Sequence, residues 1–325
     1  MKEYWRLSVC IVLLAALVAT VPALPAGPVL AATGVRSEYL KITDDADRTV
    51  VLQRKPKRIV VLSPSFLELL YAVGGKAVGR PNSTAELDSL PKEGRKLPEV
   101  GFVYNINIEK VAALQPDLVI AMAGMHNRLV PIFESNRLPV LVLKYKTYDD
   151  VFAKITLFGQ IAGVESKAAA TTRAIKTKLK QIIAKIPAQP YKIAILHATA
   201  KSVSLELENS IAGNTAKLLR LRNITAGSGP AVGDADTIPY SLERLVASDP
   251  DLIFVVTMGK ATEIAKTMSA EVENNPAWST LRAVRNKKVI FLPSELFLLN
   301  PGIRIPETAA YMAKLVYPGV YGSGE

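Results

Sequence analysis

Cysteine is all but missing from this chain. Cys10 is the only one in 325 residues, and it lies inside an apolar N-terminal stretch. Without that stretch the chain has no thiol, which excludes disulfides, thiolate metal sites and a cysteine nucleophile. Histidine is scarce too: His126 and His197 are the whole complement. Bare zinc or manganese ions usually draw on more imidazoles than that. Aromatics make up 6% of the chain, and no Lys/Arg cluster interleaves with them, so nucleic acid is not an expected partner. Also missing are the Gly-x-x-x-x-Gly-Lys-[Ser/Thr] phosphate loop, the His-Glu-x-x-His metal helix and the Gly-x-Ser-x-Gly elbow. Gly227 to Gly233 is rich in glycine but lacks dinucleotide spacing and reads as a loop. No catalytic set stands out.

What is present is apolar and long enough for two domains of ordinary size. Hydrophobic residues are 49% of the sequence. The first 31 residues read as a secretory signal. Lys2 and Arg6 make a basic start, Leu7 to Val18 is an apolar core, and Val29-Leu30-Ala31 offers a small-residue cleavage site. The apolar run is short and broken by prolines, unlike a membrane anchor. No cysteine follows it to carry a lipid. The expected product is therefore exported, periplasmic and soluble after signal cleavage. Removing Lys2, Arg6 and Glu3 takes the net charge from +11 to about +10. Such a surface suits an anionic ligand, and equally suits solubility.

One stretch occurs twice. Asn107-Ile-Glu-Lys-Val-Ala-Ala-Leu-Gln-Pro-Asp-Leu-Val-Ile120 aligns without a gap to Ser241-Leu-Glu-Arg-Leu-Val-Ala-Ser-Asp-Pro-Asp-Leu-Ile-Phe254. Asn107 and Ser241 are good N-caps, and Glu109 and Glu243 fall in the first turn, where negative charge suits the helix dipole. Pro116 and Pro250 stop the helix. The apolar runs beyond, Leu118–Met122 and Leu252–Val256, read as strands buried on both faces. Each copy is then a short helix feeding a parallel strand. The helix starts at the strands' carboxyl edge, where ligands bind in open α/β sheets. Each glutamate thus belongs on the rim of that edge.

The rest alternates around these units. Tyr39 to Gln53 suggests a strand pair turning at Asp44-Asp45-Ala46-Asp47. Ile59 to Leu62 reads as a buried strand, with a helix from Phe66 to Val73 behind Ser63-Pro64-Ser65. Asn127 to Asn136 is expected as helix, and Val140 to Leu143 as strand. A helix from Asp149 to Gly163 is followed by a capless run, Glu165 to Ile186, of helical spacing. Strand–helix alternation then restarts at Lys192. The expected fold is α/β: two similar lobes with mainly parallel sheets, joined by one long helix that permits modest rocking. The expected boundaries are 1–31 for the signal, 32–147 for the first lobe, 148–187 for the linking helices and 188–325 for the second lobe.

At this point the chain resembles the substrate-binding proteins of ABC importers for iron chelates, haem and cobalamin. The resemblance is carried by Lys57-Arg58-Ile-Val-Val-Leu-Ser-Pro-Ser65 with Glu68-Leu-Leu70 and Gly74, by Val100-Gly101 and by both repeat copies. Asn275-Pro-Ala-Trp278, Leu281-Arg-Ala-Val284, and Pro301-Gly-Ile-Arg304 with Glu307 extend it over nearly all of the mature sequence. Asp47 departs from it, standing where relatives often have glycine. The resemblance implies that Glu109 and Glu243 pair with arginines of an inner-membrane ABC permease. It also implies a monomer with no intrinsic cofactor, whose ligand is a metal chelate: a siderophore before haem. A corrinoid carrier is the nearest alternative. An exported chelatase-like enzyme is the alternative from another class.

Ligand contacts are expected on loops after the strands: Ser65, Phe102, Tyr104, Met125 and His126 from the first lobe, and His197 and Tyr240 from the second. Arg304 is placed either to pair with an acidic chelate or to make a salt bridge at a helix start. Both histidines follow strands and are the candidate metal ligands, imidazole being a common partner of iron and cobalt. Each reads equally as a polar loop residue. Haem-binding relatives often carry tyrosine or histidine right after the glycine that matches Gly101, and here Phe102 stands there, which weakens haem as ligand.

Overall fold

Alternate residues of the central strands go to different cores, which sets the architecture. The computed structural model describes residues 38–82, 90–230, 235–298 and 301–322; the expected signal segment lies outside them. In the first lobe Ile59, Val61, Leu118, Ile120, Leu141 and Leu143 face one hydrophobic cluster. Their neighbours Val60, Leu62, Val119, Ala121, Val140 and Val142 face another. In the second lobe Ile193, Ile195, Phe254 and Val256 face the first cluster again, while Ala194, Leu196, Ile253 and Val255 face a third. Unbroken apolar runs with a period of two between faces are what strands covered by helices on both sides require.

The first sheet runs Val140–Leu143, Leu118–Met122, Ile59–Val61, all parallel. A bridge from Val60 to Gly79 continues it to Arg80–Asn82, parallel Glu99–Phe102, and a short antiparallel return, Asn105–Ile106. The second sheet centres on Lys192–Thr199, with parallel Leu252–Met258 and Val289–Phe291 on one side. On the other side lie antiparallel Val203–Glu206 and then Thr237–Pro239. This is the two-lobe, largely parallel α/β fold expected. The antiparallel pair was not legible in advance. Val203 to Glu206 is short, and its end is a buried glutamate, so it breaks the apolar signal.

The hairpin Leu40–Thr43 and Thr49–Leu52 forms as expected. Asp47 sits in its turn at φ +57°, a conformation glycine favours and aspartate tolerates. Ser63 is the N-cap of helix Pro64–Ala72 by position, but its hydroxyl makes no capping bond. Helix Tyr148–Ala162 has a complete capping box at Thr147 and Asp150 and ends on Gly163 at φ +59°. Helix Glu165–Ile183 then leads towards the second sheet with no side-chain cap. Ile155, Phe158, Ala168, Ile175 and Leu179 of these helices join Ala309, Met312 and Val316 of helix Ile305–Val316 in the cluster that both sheets' inner faces share. The two sheets are thus bound by a common apolar layer. No described helix is long and apolar enough to cross a membrane.

Candidate ligand-binding and docking site

The repeat is a complete structural unit. Asn107 Oδ1 accepts from the Lys110 amide at 2.9 Å, and Ser241 Oγ accepts from the Arg244 amide at 3.1 Å. Each cap is worth about 1 kcal/mol. Both helices unwind through a left-handed residue at the same place, Gln115 at φ +45° and Asp249 at φ +40°. The repeated aspartates then staple the neighbouring strand. Asp117 accepts from the amides of Lys57 and Arg58, both at 2.8 Å, and Asp251 accepts from the Lys192 amide at 2.9 Å. In return, Arg58 donates to Leu114 O at 2.7 Å and Lys192 to Ser248 O at 2.7 Å, covering the free carbonyls at each helix end. The identity of Pro-Asp between copies signalled this role, but the partner strand was invisible in the repeat itself.

Helices Ile108–Ala113 and Leu242–Ser248 begin at the carboxyl edges of their sheets, and Glu109 and Glu243 are exposed in their first turns. Glu243 also accepts from the Ser241 hydroxyl at 3.0 Å. The two carboxylates occupy equivalent places in the two copies, as the alignment requires.

Several large apolar side chains are left in water at the same edges. Phe102 ends one strand and Tyr104, 65% exposed, sits in the turn after it. Their rings stack at 5.5 Å and 9°. Met125 follows Leu118–Met122, Met258 ends Leu252–Met258, and Phe291, 56% exposed, ends Val289–Phe291. Phe291 was missed because a terminal strand residue looks like core in sequence. Gly101, at φ +103°, permits the tight return beneath Phe102: a Cβ there would meet Asn105 O at 2.5 Å.

His126 is not free to take a ligand. It is 1% exposed. Its Nδ1 accepts from the Met122 amide at 3.0 Å, so Nε2 carries the proton and donates to Val103 O at 2.7 Å. Both ring nitrogens are engaged with main chain, leaving no lone pair for a metal. Burial, and secondarily Arg128, hold its pKa below the ordinary value. The ring instead ties the Phe102–Tyr104 turn to the end of the central strand. Arg128 adds a bond to Tyr104 O at 3.2 Å.

His197 lies on the inner face of Lys192–Thr199, with Nδ1 3.0 Å from Glu206 Oε1. That bond raises the imidazole pKa, against the effect of burial. Glu206 is 3% exposed, and burial raises its own pKa. The histidine is thus committed first to a carboxylate.

Arg304 grips Glu307 through two bonds, 2.7 and 2.8 Å. This is the salt bridge at a helix start, and with Glu68 and Glu295 it keeps the guanidinium pKa above its usual value. Ser65 is half-buried in the first turn of Pro64–Ala72. Tyr240 packs against the outer cluster of the second lobe, and burial, then Glu243, push its phenol up to about 12. Ser294 to Phe297 form a short helix with Leu296 and Phe297 buried, not an open loop. Among the described residues no group of three or more His, Cys, Asp or Glu side chains could hold a metal ion.

Known proteins share this family and fold. The sequence model of a family described as periplasmic binding protein matches residues 59–296. An uncharacterized ABC transporter substrate-binding lipoprotein of Bacillus subtilis, YvrC, is 27% identical over 290 residues, 86% of each chain. The Fe(3+)-citrate-binding protein YfmC of the same organism is 27% identical over 279 residues, covering 84% of this chain and 85% of that one. The crystal structure of Staphylococcus aureus SirA complexed with staphyloferrin B superposes with a TM-score of 0.68 at 20% identity, over 86% of this chain and 97% of that one.

Proposed function

The chain belongs to the periplasmic binding protein family, and from that premise we propose that it is an extracytoplasmic receptor delivering an iron chelate to an ABC importer. The cargo is a ferric siderophore in preference to haem. The observation that carries this reading is the set of exposed aromatic and thioether side chains, Phe102, Tyr104, Met125, Met258 and Phe291, at the carboxyl edges of both sheets. Solvent-facing side chains of that size at a ligand edge favour a partner with broad apolar faces. Both ring nitrogens of His126 are bonded to main chain, so in this reading the metal arrives already wrapped by its own chelator, and the protein brings no cofactor. Phe102 after Gly101, where haem-binding relatives often carry tyrosine or histidine, favours a siderophore over haem.

Glu109 and Glu243 serve as the two docking points, one per lobe, for basic residues of an inner-membrane permease. The receptor acts as a monomer and performs no chemistry on its cargo. YvrC is by name a lipoprotein. In this chain the only cysteine, Cys10, precedes most of the apolar segment, so the exported form is untethered.

The test is titration of the purified mature protein with ferric citrate, a ferric hydroxamate, haemin and cobalamin. Trp278 fluorescence and absorbance are the readouts. Saturable quenching by a ferric chelate, weakened about tenfold (~1.4 kcal/mol) in Phe102→Ala/Tyr104→Ala, is the expected result. A Soret band lost in a Tyr104 variant would replace the siderophore with haem. Multiple turnover of a metal complex would overturn the receptor role.

A further inference from the structure

Away from both the ligand edges and the repeats, a shallow open surface runs along one face of helix Glu165–Ile183, with Thr156 of helix Tyr148–Ala162 at its side. It is a groove of about 450 Å³ lined by Thr156, Ala169, Thr172, Arg173, Lys176, Thr177 and Lys180. No acid lines it. Among the described residues, none of its three cations pairs with a carboxylate. Lys176 is set in place by packing, its ammonium 4.9 Å from the centre of the Phe152 ring. The hydroxyl of Thr156 donates back to Phe152 O at 3.1 Å, so the recognition falls to the three cations. Helix Glu165–Ile183 as a whole carries Lys167, Arg173, Lys176, Lys178 and Lys180 against the single acid Glu165.

Spacing decides what such a groove holds. At about 1.5 Å rise per residue, Arg173, Lys176 and Lys180 stand about 4.5 and 6 Å apart along the axis. A single phosphate touches one or two of them, whereas an extended chain of anionic groups touches all three in turn. Arg and Lys both favour phosphate oxygens, the guanidinium through paired bonds. We infer that this groove is a binding site for a linear, phosphate-bearing polyanion, used independently of the chelate site.

The test uses mature protein and fluorescently labelled long-chain inorganic polyphosphate across a salt series, with phosphatidylglycerol vesicles and duplex DNA as competing probes. Arg173→Gln/Lys176→Gln/Lys180→Gln should lose at least tenfold in polyphosphate affinity near 0.1 M salt. Its salt slope should fall by about 2, as three lost phosphate contacts on a single strand predict. Ferric-chelate affinity should not move, so this proposal and the receptor reading stand or fall separately. A charge-matched control at the exposed Lys41, Lys92 and Lys266, each changed to Gln, should retain polyphosphate binding. Equal losses in both triple variants would reduce the effect to net charge and overturn the site. Binding to vesicles or duplex DNA in preference to polyphosphate would overturn the class of ligand.

Discussion

The two lobes repeat the hydrogen bonding of their shared helix–strand unit closely and the side chains of their ligand edges hardly at all. Asp117 and Asp251 staple neighbouring strands in the same way, the helix caps match, and the left-handed residues fall at one aligned position. The histidines on the two ligand edges diverge. His126 is neutral, buried and bonded at both nitrogens to main chain. His197 is tied to a buried glutamate and holds its proton more tightly than a free imidazole. The lesson is that a duplicated fold preserves backbone hydrogen bonding, while each edge adapts its own side chains around that frame.

The largest break of the comparison targets what the lobes share. Charge reversal at both rims, Glu109→Arg/Glu243→Arg, should abolish uptake in a transport assay and leave chelate affinity intact; either single change should leave partial uptake. Loss of affinity without loss of coupling would remove the glutamates from docking. Next comes the difference between the histidines. His126→Ala strands a buried amide and a buried carbonyl, and chemical denaturation should register about 3 kcal/mol. The same variant should blunt chelate binding by freeing the Phe102–Tyr104 turn. Third, Asp117→Ala should cost about 2 kcal/mol for two main-chain amides, and Asp251→Ala about 1 kcal/mol for one amide plus a few tenths for its exposed bond to Arg282. Equal losses, or a larger loss at Asp251, would break the asymmetry.

The subtlest test is pH. His197 has a raised pKa, so its contribution to stability is complete below the unfolded value of about 6.5 and is lost as pH rises through the folded one. His126 has a lowered pKa, so stability instead falls as pH drops below about 6.5. Replacing His197 by Gln should flatten the alkaline limb of a denaturation-versus-pH curve, and replacing His126 by Gln the acid limb. Neither change can exceed about 1.4 kcal/mol per pH unit, the ceiling for one proton. Swapped limbs would reverse the assignment.

The architecture was readable because it rests on residue type. Apolar runs such as Leu118–Met122 and Leu252–Val256, set behind proline, read as strands buried on both sides, and the strands form there. The repeat, with its caps and prolines, gave the position of Glu109 and Glu243. Much less of the site was readable. His126 reaches a carbonyl 23 residues earlier in the chain, and residue identity carries no trace of which main-chain groups fold against it. Arg304 was poised between two roles, and its pair with Glu307 on the next helical turn is the contact the fold displays. Phe291 closes a strand, and sequence does not tell a last core residue from a first exposed one. Glu206 hid an entire antiparallel extension, because a buried charge looks like a turn.

Ile193, Ile195 and Phe254 share an apolar layer with Phe66, Leu118 and Phe158. Swinging the lobes wide apart would expose it. Uncovering even one or two such side chains costs a few kcal/mol, which disfavours a gaping form of the free protein. Cargo escape from the free receptor is set by the contacts at the cleft. Any partner that empties the cleft by spreading the lobes must itself prefer the spread form by those same few kcal/mol.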